Sequence, residues 1–273
     1  MAEPSHIAKR LVWKDGVFAE GGRAIPEETA VALTYNGGTY AVMMATSRDL
    51  EDFAVGFSLS EGIVDAPSGI EQLEVVDVAD GIELRMWLAQ ANAERLSERR
   101  RHIAGPTGCG LCGIESIAEA LRPSATVAAG RRFSPQQIMS AMQTMPSRQP
   151  LNVETRAVHA AAFWEPESGL VALREDVGRH NALDKLAGAL ARKQVMADDG
   201  LVLLTSRVSV EMVQKTAVMG ASVMVAVSAP TALAVRTAEA AGITLAAIAR
   251  SDGFEIFTHP HRIVAEDMVS VVA

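Results

Sequence analysis

Three apolar runs near the C-terminus, GLVLLTS (200–206), SVMVAVS (222–228) and ITLAAIA (243–249), are short enough to be strands and too apolar to face water. Helical patterns at about 209–219 and 231–241 fill the gaps between them. A strand buried on both faces reads as an unbroken apolar run, and strands alternating with helices pair in parallel through right-handed crossovers. This part of the chain is therefore expected to form a βαβαβ unit of an α/β fold. In such sheets ligands sit beyond the carboxyl ends of the strands. Those ends read TSRVS (205–209), SAPT (228–231) and RSDG (250–253). Hydroxyls, arginine forks and helix N-termini all bind oxyanions, which makes Ser206, Arg207, Ser228, Thr231 and Arg250 the candidates for holding an anionic ligand. Each Ser or Thr taken singly is first a helix cap; the three loops together predict a cleft. The chain has no GxxxxGK[ST] loop, so a nucleotide would be held in another way.

The N-terminal part reads differently. Residues 1–45 alternate short apolar runs with glycine turns, and VALTYNGGTYAVMMA predicts two strands around Asn36-Gly37-Gly38. SRDLEDFAVGFSLSEG predicts a helix capped by Ser47, with Leu50, Phe53, Ala54 and Phe57 on one face. A second hairpin is expected around Asp80-Gly81, and a charged stretch, NAERLSERRRH, follows it. Past the cysteines, Ile114, Ile117, Ala118 and Leu121 give an apolar helical face. SPQQIMSAMQTM carries a capping box, Ser134 with Gln137, with Pro135 at the first helical position. HAAAFW and LVALRED predict strands, and HNALDKLAGALARKQ a helix. The expected division is a β-rich N-terminal subdomain over 1–105 and an α/β domain over 106–273 that holds the cysteine loop and the βαβαβ unit.

Composition excludes some classes of function. With 49% hydrophobic residues the chain can bury a large core, and with only 4% aromatics that core must be mostly aliphatic. A net charge of −8 argues against a dedicated nucleic-acid binder. The start of the chain has no apolar signal segment, and no run reaches the ~18 apolar residues of a membrane span. The expected location is the cytoplasm, where thiols stay reduced.

Both cysteines of the chain, Cys109 and Cys112, fall in GPTGCGLCGIES (105–116). Such a pair serves as a redox couple, half of a zinc site, a persulfide carrier or loop packing. Zinc would need further ligands, for which His102, His159 and His180 are candidates, but the H-x-E of the zinc deaminases is absent. Gly108, Gly110 and Gly113 favour an accessible thiol over deep packing. Arg99, Arg100, Arg101 and His102 just upstream favour the thiolate, the form that attacks sulfur. A third polar cluster, REDVGRHNALDK, holds Glu175, Asp176, Arg179, His180, Asp184 and Lys185. It reads as a salt-bridged helix start, or as a cofactor-facing wall with His180 as proton shuttle or phosphate contact. His159 alone reads as a structural histidine.

Eight blocks in order, PEETAVALTYNG, DLEDFAVGFSLSEGIV, CGLCGIES, VHAAAF, REDVGRHNALDKL, RVSVEMVQKTA, VSAPTALAV and EIFTHPHR, carry a resemblance over nearly the full length. The chain resembles the FdhD family, formate dehydrogenase accessory sulfur carriers. The resemblance implies a sulfurtransferase-type carrier that takes persulfide sulfur from a cysteine desulfurase and delivers it to the molybdenum bis-guanine-dinucleotide cofactor of formate dehydrogenase. It implies a cytidine-deaminase-like layered α/β sheet and a homodimer. By motif, Cys109 maps to the persulfide cysteine and Cys112 to its partner. Phe254, Glu255, Ile256, Phe257, Thr258 and His259 map to the cofactor-binding stretch, for which GDP or GMP are analogues. These six are expected beside the strand-end residues, with Phe254 and Phe257 walling the guanine. The alternatives are a cofactor chaperone that moves no sulfur and a thiol oxidoreductase. The chain departs from the family pattern at Arg156-Ala157-Val158 before His159, in lacking a glycine before Arg207, and in having Gly108 before the first cysteine.

Overall fold

The structure, a computed structural model, describes residues 3–103 and 124–264. The chain opens with a two-stranded antiparallel ribbon, β1 (Ser5–Lys14) and β2 (Val17–Pro26). Strands β3 (Thr29–Tyr35), β4 (Gly38–Ala45), β5 (Ile70–Val78) and β6 (Gly81–Leu88) form a sheet in the order β4-β3-β6-β5. The β3–β4 turn is made by Asn36 and Gly37, both with positive φ, as the sequence predicts. Helix α1 (Leu50–Ser60) packs on this sheet, and its Leu50, Phe53, Ala54 and Phe57 enter the core with Leu33 and Leu84. The charged stretch after β6 belongs to α2 (Gln90–Ile103).

The larger sheet has six strands. Helices α3 (Pro135–Thr144) and α4 (Pro150–Thr155) lead into β7 (His159–Glu165) and β8 (Gly169–Asp176), followed by α5 (Arg179–Arg192). Then β9 (Leu201–Leu204), α6 (Val210–Val218), β10 (Val223–Ala226), α7 (Ala232–Ala241), β11 (Thr244–Arg250) and β12 (Gly253–Ile256) complete it. The order is β12-β11-β10-β9-β7-β8, with β9, β10 and β11 parallel and the flanking strands antiparallel. Both faces are covered, as a parallel centre requires. Leu183, Leu186, Met212 and Ala238 from α5–α7 pack on one face with Phe163, Leu204 and Leu245. Ile138 and Ala141 of α3 pack on the other with Trp164, Leu203 and Val225. No helix among the described residues is long and apolar enough to cross a membrane.

Two expected caps turn out differently. The box on α3 forms: Gln137 N–H donates to Ser134 Oγ at 3.2 Å, and Ser134 N–H to Gln137 Oε1 at 2.9 Å. Ser47 does not cap α1, whose N-cap is Asp49 in the left-handed region with no side-chain bond. The segment before α1 is held by tertiary bonds instead. Thr46 N–H donates to Asp176 Oδ2 at 3.0 Å, Lys185 Nζ donates to Thr46 O at 2.8 Å, and Asp49 pairs with Arg174 at 3.4 Å.

Helices α1 and α5 cross at glycine. A Cβ on Gly56 would strike the Asp184 carbonyl, and one on Gly188 would strike the Asp52 carbonyl, so the two backbones touch with no side chain between them. Asp52 beside this crossing pairs with Arg174 (2.7 Å) and Arg192. The ribbon is the opposite case. Trp13 pairs across the strands with Phe18, and Ile7 (70% exposed), Leu11 (62%), Trp13 (65%) and Phe18 (64%) lie open on one of its faces.

Candidate functional site

The expected strand-end edge is built by register. His159 opposes Asp176, and the β7–β9 pairing of Ala161 with Leu204 continues through Thr205 N–H to Ala160 O at 3.1 Å. The β9–β10 register continues through Val227 N–H to Leu204 O at 2.9 Å. Side chains alternate along a strand, and Ala161, Ala172, Leu204 and Ala226 all face α5–α7. Asp176 and His159 therefore start a row on that face, and Ser206 and Ser228 lie two residues on from Leu204 and Ala226, just past the ends of the neighbouring β9 and β10. Helices α5 and α6 begin directly above it.

Asp176 is occupied within the row. It accepts from Thr46 N–H, from Gly178 N–H at 2.8 Å and from Asn181 Nδ2 at 3.0 Å, and its carboxylate lies 2.6 Å from Lys185 Nζ. Asp184 is likewise taken, by Lys215 Nζ at 2.7 Å. Glu175 accepts from the N–H groups of Leu151 (3.0 Å) and Asn152 (2.7 Å) and so caps α4. Most of REDVGRHNALDK is thus a structural knot. Burial pushes the Lys185 ammonium down and the Asp184 carboxyl up, as expected of charges kept from water.

Arg179 and His180 stay outside the knot. His180 Nε2 lies 3.3 Å from Ser209 Oγ and 3.2 Å from Glu211 Oε2, which joins the start of α5 to that of α6. Burial, then the positive charge of Arg179, holds His180 below its ordinary value. His159 is lowered in the same way, by burial, then Arg179, with Arg207 adding to it. Arg179 Nε is buried with no hydrogen-bond partner. Within REDVGRHNALDK the sequence singles out His180 for a role of its own, and Arg179 beside it enters only as a member of the polar cluster.

The other expected residues divide. Thr231 caps α7, accepting from Ala234 N–H at 3.2 Å, and Ser206 Oγ donates to Arg207 O at 3.1 Å. Arg207 and Arg250 are exposed, and Ser228 is half-buried at the same edge. Residues Phe254–His259 do not gather there. Strand β12 runs antiparallel to β11, with Gly253 beside Arg250 and Ile256 beside Ala246, so the segment leaves the carboxyl edge. Thr258 is buried at the opposite edge, donating to Ile243 O at 2.6 Å and accepting from Leu245 N–H at 3.0 Å, and His259 Nε2 lies 2.9 Å from Glu239 O. Phe254 packs with the α3-side cluster and Phe257 with the α5–α7 side. Three residues apart on an extended chain, they face opposite ways and cannot wall one base together. Cys109 and Cys112, and the apolar face after them, lie outside the described residues.

Comparison with known proteins agrees with the resemblance. The FdhD/NarQ family model matches residues 26–264. The sulfur carrier protein FdhD of Agrobacterium fabrum is 53% identical over 256 residues, covering 93% of this chain and 94% of the relative. That of Brucella abortus biovar 1 is 52% identical over 260 residues, 95% of each chain. The crystal structure of a protein from Desulfotalea psychrophila, described as a formate dehydrogenase accessory protein, superposes with a TM-score of 0.74 over 96% of this chain and 100% of that one, at 24% identity. It shares the mixed α/β fold. On the family match and on identity above one half along almost the whole chain, this protein belongs to the FdhD/NarQ family.

Proposed function

We propose that the chain is a sulfur carrier acting for formate dehydrogenase. The observation that carries this reading is the identity of 53% and 52%, over nearly full length, to proteins named sulfur carrier protein FdhD. In the loading step the Cys109 thiolate attacks the outer sulfur of a cysteine desulfurase persulfide. A new S–S bond forms on Cys109, the donor's S–S bond breaks, and the donor leaves as a thiolate, so no outside oxidant is needed. Cys112, three residues on, is the partner thiol, and the reducing cytoplasm keeps both available. The molybdenum bis-guanine-dinucleotide cofactor is the acceptor, written as cargo. Its phosphates suit the basic carboxyl edge of the large sheet, at Arg207, Ser206 and Ser228, better than the far end of Phe254–His259, where Thr258 is already spent on backbone.

A second copy of the chain is the partner suited to the exposed ribbon. A two-stranded ribbon alone is marginal in water. Its open apolar face carries Lys9 and Glu20, one charge of each sign, so two copies packed face to face in antiparallel sense set each charge against its opposite.

The deciding measurement is intact-protein mass after incubation with a cysteine desulfurase and L-cysteine. A gain of about 32 Da that maps to Cys109 and vanishes in Cys109→Ser is the expected result. An unchanged mass together with GDP binding would favour a cofactor chaperone, and a reversible dithiol couple without the adduct a thiol oxidoreductase.

A further inference from the structure

Asn36-Gly37 is the one place in the chain where an asparagine precedes a glycine; Asn92, Asn152 and Asn181 precede alanine, valine and alanine. The pair turns β3 into β4, with φ 48° at Asn36 and 80° at Gly37, and both residues are exposed. Left-handed values at two successive residues are what a two-residue hairpin turn asks for, and asparagine and glycine adopt them at least cost. Such a pair is also reactive. The main-chain nitrogen of a glycine can approach the preceding amide carbon because no Cβ stands beside it. A Cβ placed on Gly37 would meet no atom within 4 Å, so the turn is open on that side.

The fold sets a clamp on Asn36. The parallel pairing of β3 with β6 ends at Tyr35 and Met86. One residue on, Asn36 N–H donates to Met86 O at 2.8 Å, and Leu88 N–H donates to Asn36 Oδ1 at 2.9 Å. The asparagine is therefore bonded to the main chain of β6 on both sides of Trp87. Leu88 is buried in the core with Leu33 and Leu84, so packing, not the turn, holds its N–H in place. While Oδ1 is committed to Leu88, the amide cannot swing over the Gly37 nitrogen.

We propose that Asn36 is a site of covalent self-modification by deamidation, and that its bonds to Met86 and Leu88 gate the reaction. When the turn opens, the Gly37 nitrogen gives its proton to hydroxide and bonds to Asn36 Cγ. The Cγ–Nδ2 bond breaks and ammonia leaves, which closes a succinimide ring. Water then opens the ring at either carbonyl, so water is consumed, ammonia is released and nothing is oxidised or reduced. The two products act differently on the clamp. Aspartate leaves the main chain as it was and still presents an oxygen to Leu88 N–H. Isoaspartate adds a methylene to the main chain, so the turn no longer fits between Tyr35 and Gly38 and the end of the β3–β6 pairing is released. A chain altered in this way carries the isoaspartyl group that repair by carboxyl methylation takes as its substrate.

The test is the full chain held in mildly alkaline solution, once in native buffer and once in urea, then digested and read by mass spectrometry at each asparagine. In urea Asn36 should lose its amide faster than Asn92 and Asn152, which lack a following glycine. In native buffer the loss at Asn36 should be roughly tenfold slower or more, since two hydrogen bonds to β6 must open first. Leu84→Ala, which loosens the β3–β6 pair, should bring the native rate toward the urea rate and leave the urea rate unchanged. The parent compared with itself in the two solutions needs no variant, so the result stands even where Leu84→Ala does not fold. Once separated by chromatography, the isoaspartate form should melt below the parent and the aspartate form close to it. Equal rates at Asn36 in buffer and in urea overturn the gate. Loss at Asn36 no faster than at Asn92 in urea overturns the site, and an isoaspartate form that melts with the parent overturns the role of the clamp.

Discussion

Lys185 Nζ lies 2.6 Å from Asp176 Oδ2, and neither side chain has any exposure to solvent. Lys185 also donates to Thr46 O, and Asp176 holds Thr46 N–H, so the pair ties the β4–α1 connection to the start of α5. Removing one member of such a pair strands the other charge. Lys185→Met should lower the stability in urea by about 3–5 kcal/mol. The double variant Asp176→Asn with Lys185→Met should recover part of that loss, since the stranded carboxylate is then gone. Equal stability of the single variant and the parent would show that the pair is not what anchors this junction.

His180 makes a pH prediction with a definite sign. Its folded-state value is lowered by burial and by Arg179; Lys215 acts in the same direction and Glu211 against them. Between that lowered value and about 6.5 the unfolded chain binds more protons than the folded one, so stability rises with pH there and is lost on acidification. His159, facing Arg179, Arg207 and Asp176, adds to the same slope. Urea titrations from about pH 7.5 to about pH 5 should give a smaller acid loss in His180→Gln than in the parent. A larger acid loss in the variant would reverse the sign argued here.

Much of this was legible in the sequence because the determinants are local or periodic. The buried runs of β9, β10 and β11 declare a parallel sheet without help from elsewhere, and Ser134 and Gln137 cap each other within a single turn. Ser47 misled because Thr46, one residue earlier, is claimed by Asp176 and Lys185 from 130 and 139 positions away. The two phenylalanines of the C-terminal motif misled because they lie three residues apart on an extended segment and so turn to opposite faces of the sheet. The whole segment leaves the carboxyl edge because β12 runs antiparallel to β11, a pairing the motif alone does not state.

The box on α3 makes a smaller, local prediction. Ser134→Ala removes the acceptor for Gln137 N–H and should cost about 1 kcal/mol, read as a fall in Tm. Ser134→Asp should retain most of the stability, because a carboxylate accepts the same bond beside the positive end of the helix.

The ribbon predicts a change of assembly. Glutamate at both Trp13 and Phe18 places like charges on the open face, and sedimentation velocity should report a dimer for the parent and a monomer for the double variant. Far-UV circular dichroism should be little changed, since those two rings are 65% and 64% exposed in the single chain. A parent that sediments as a monomer, or a double variant that still dimerises, would remove the ribbon as the interface.

The crossing of Gly56 and Gly188 leaves this chain no room for a side chain at this point. Packed contacts usually drift through paired exchanges, one side growing as the other shrinks. Here neither side has anything left to give up, because each glycine already meets main chain. A larger residue on α1 has no compensating replacement on α5, and the reverse holds equally. Substitution around the crossing stays open, while a side chain at either glycine requires the two helices to separate, so main-chain contact holds the helix of the small sheet against that of the large one.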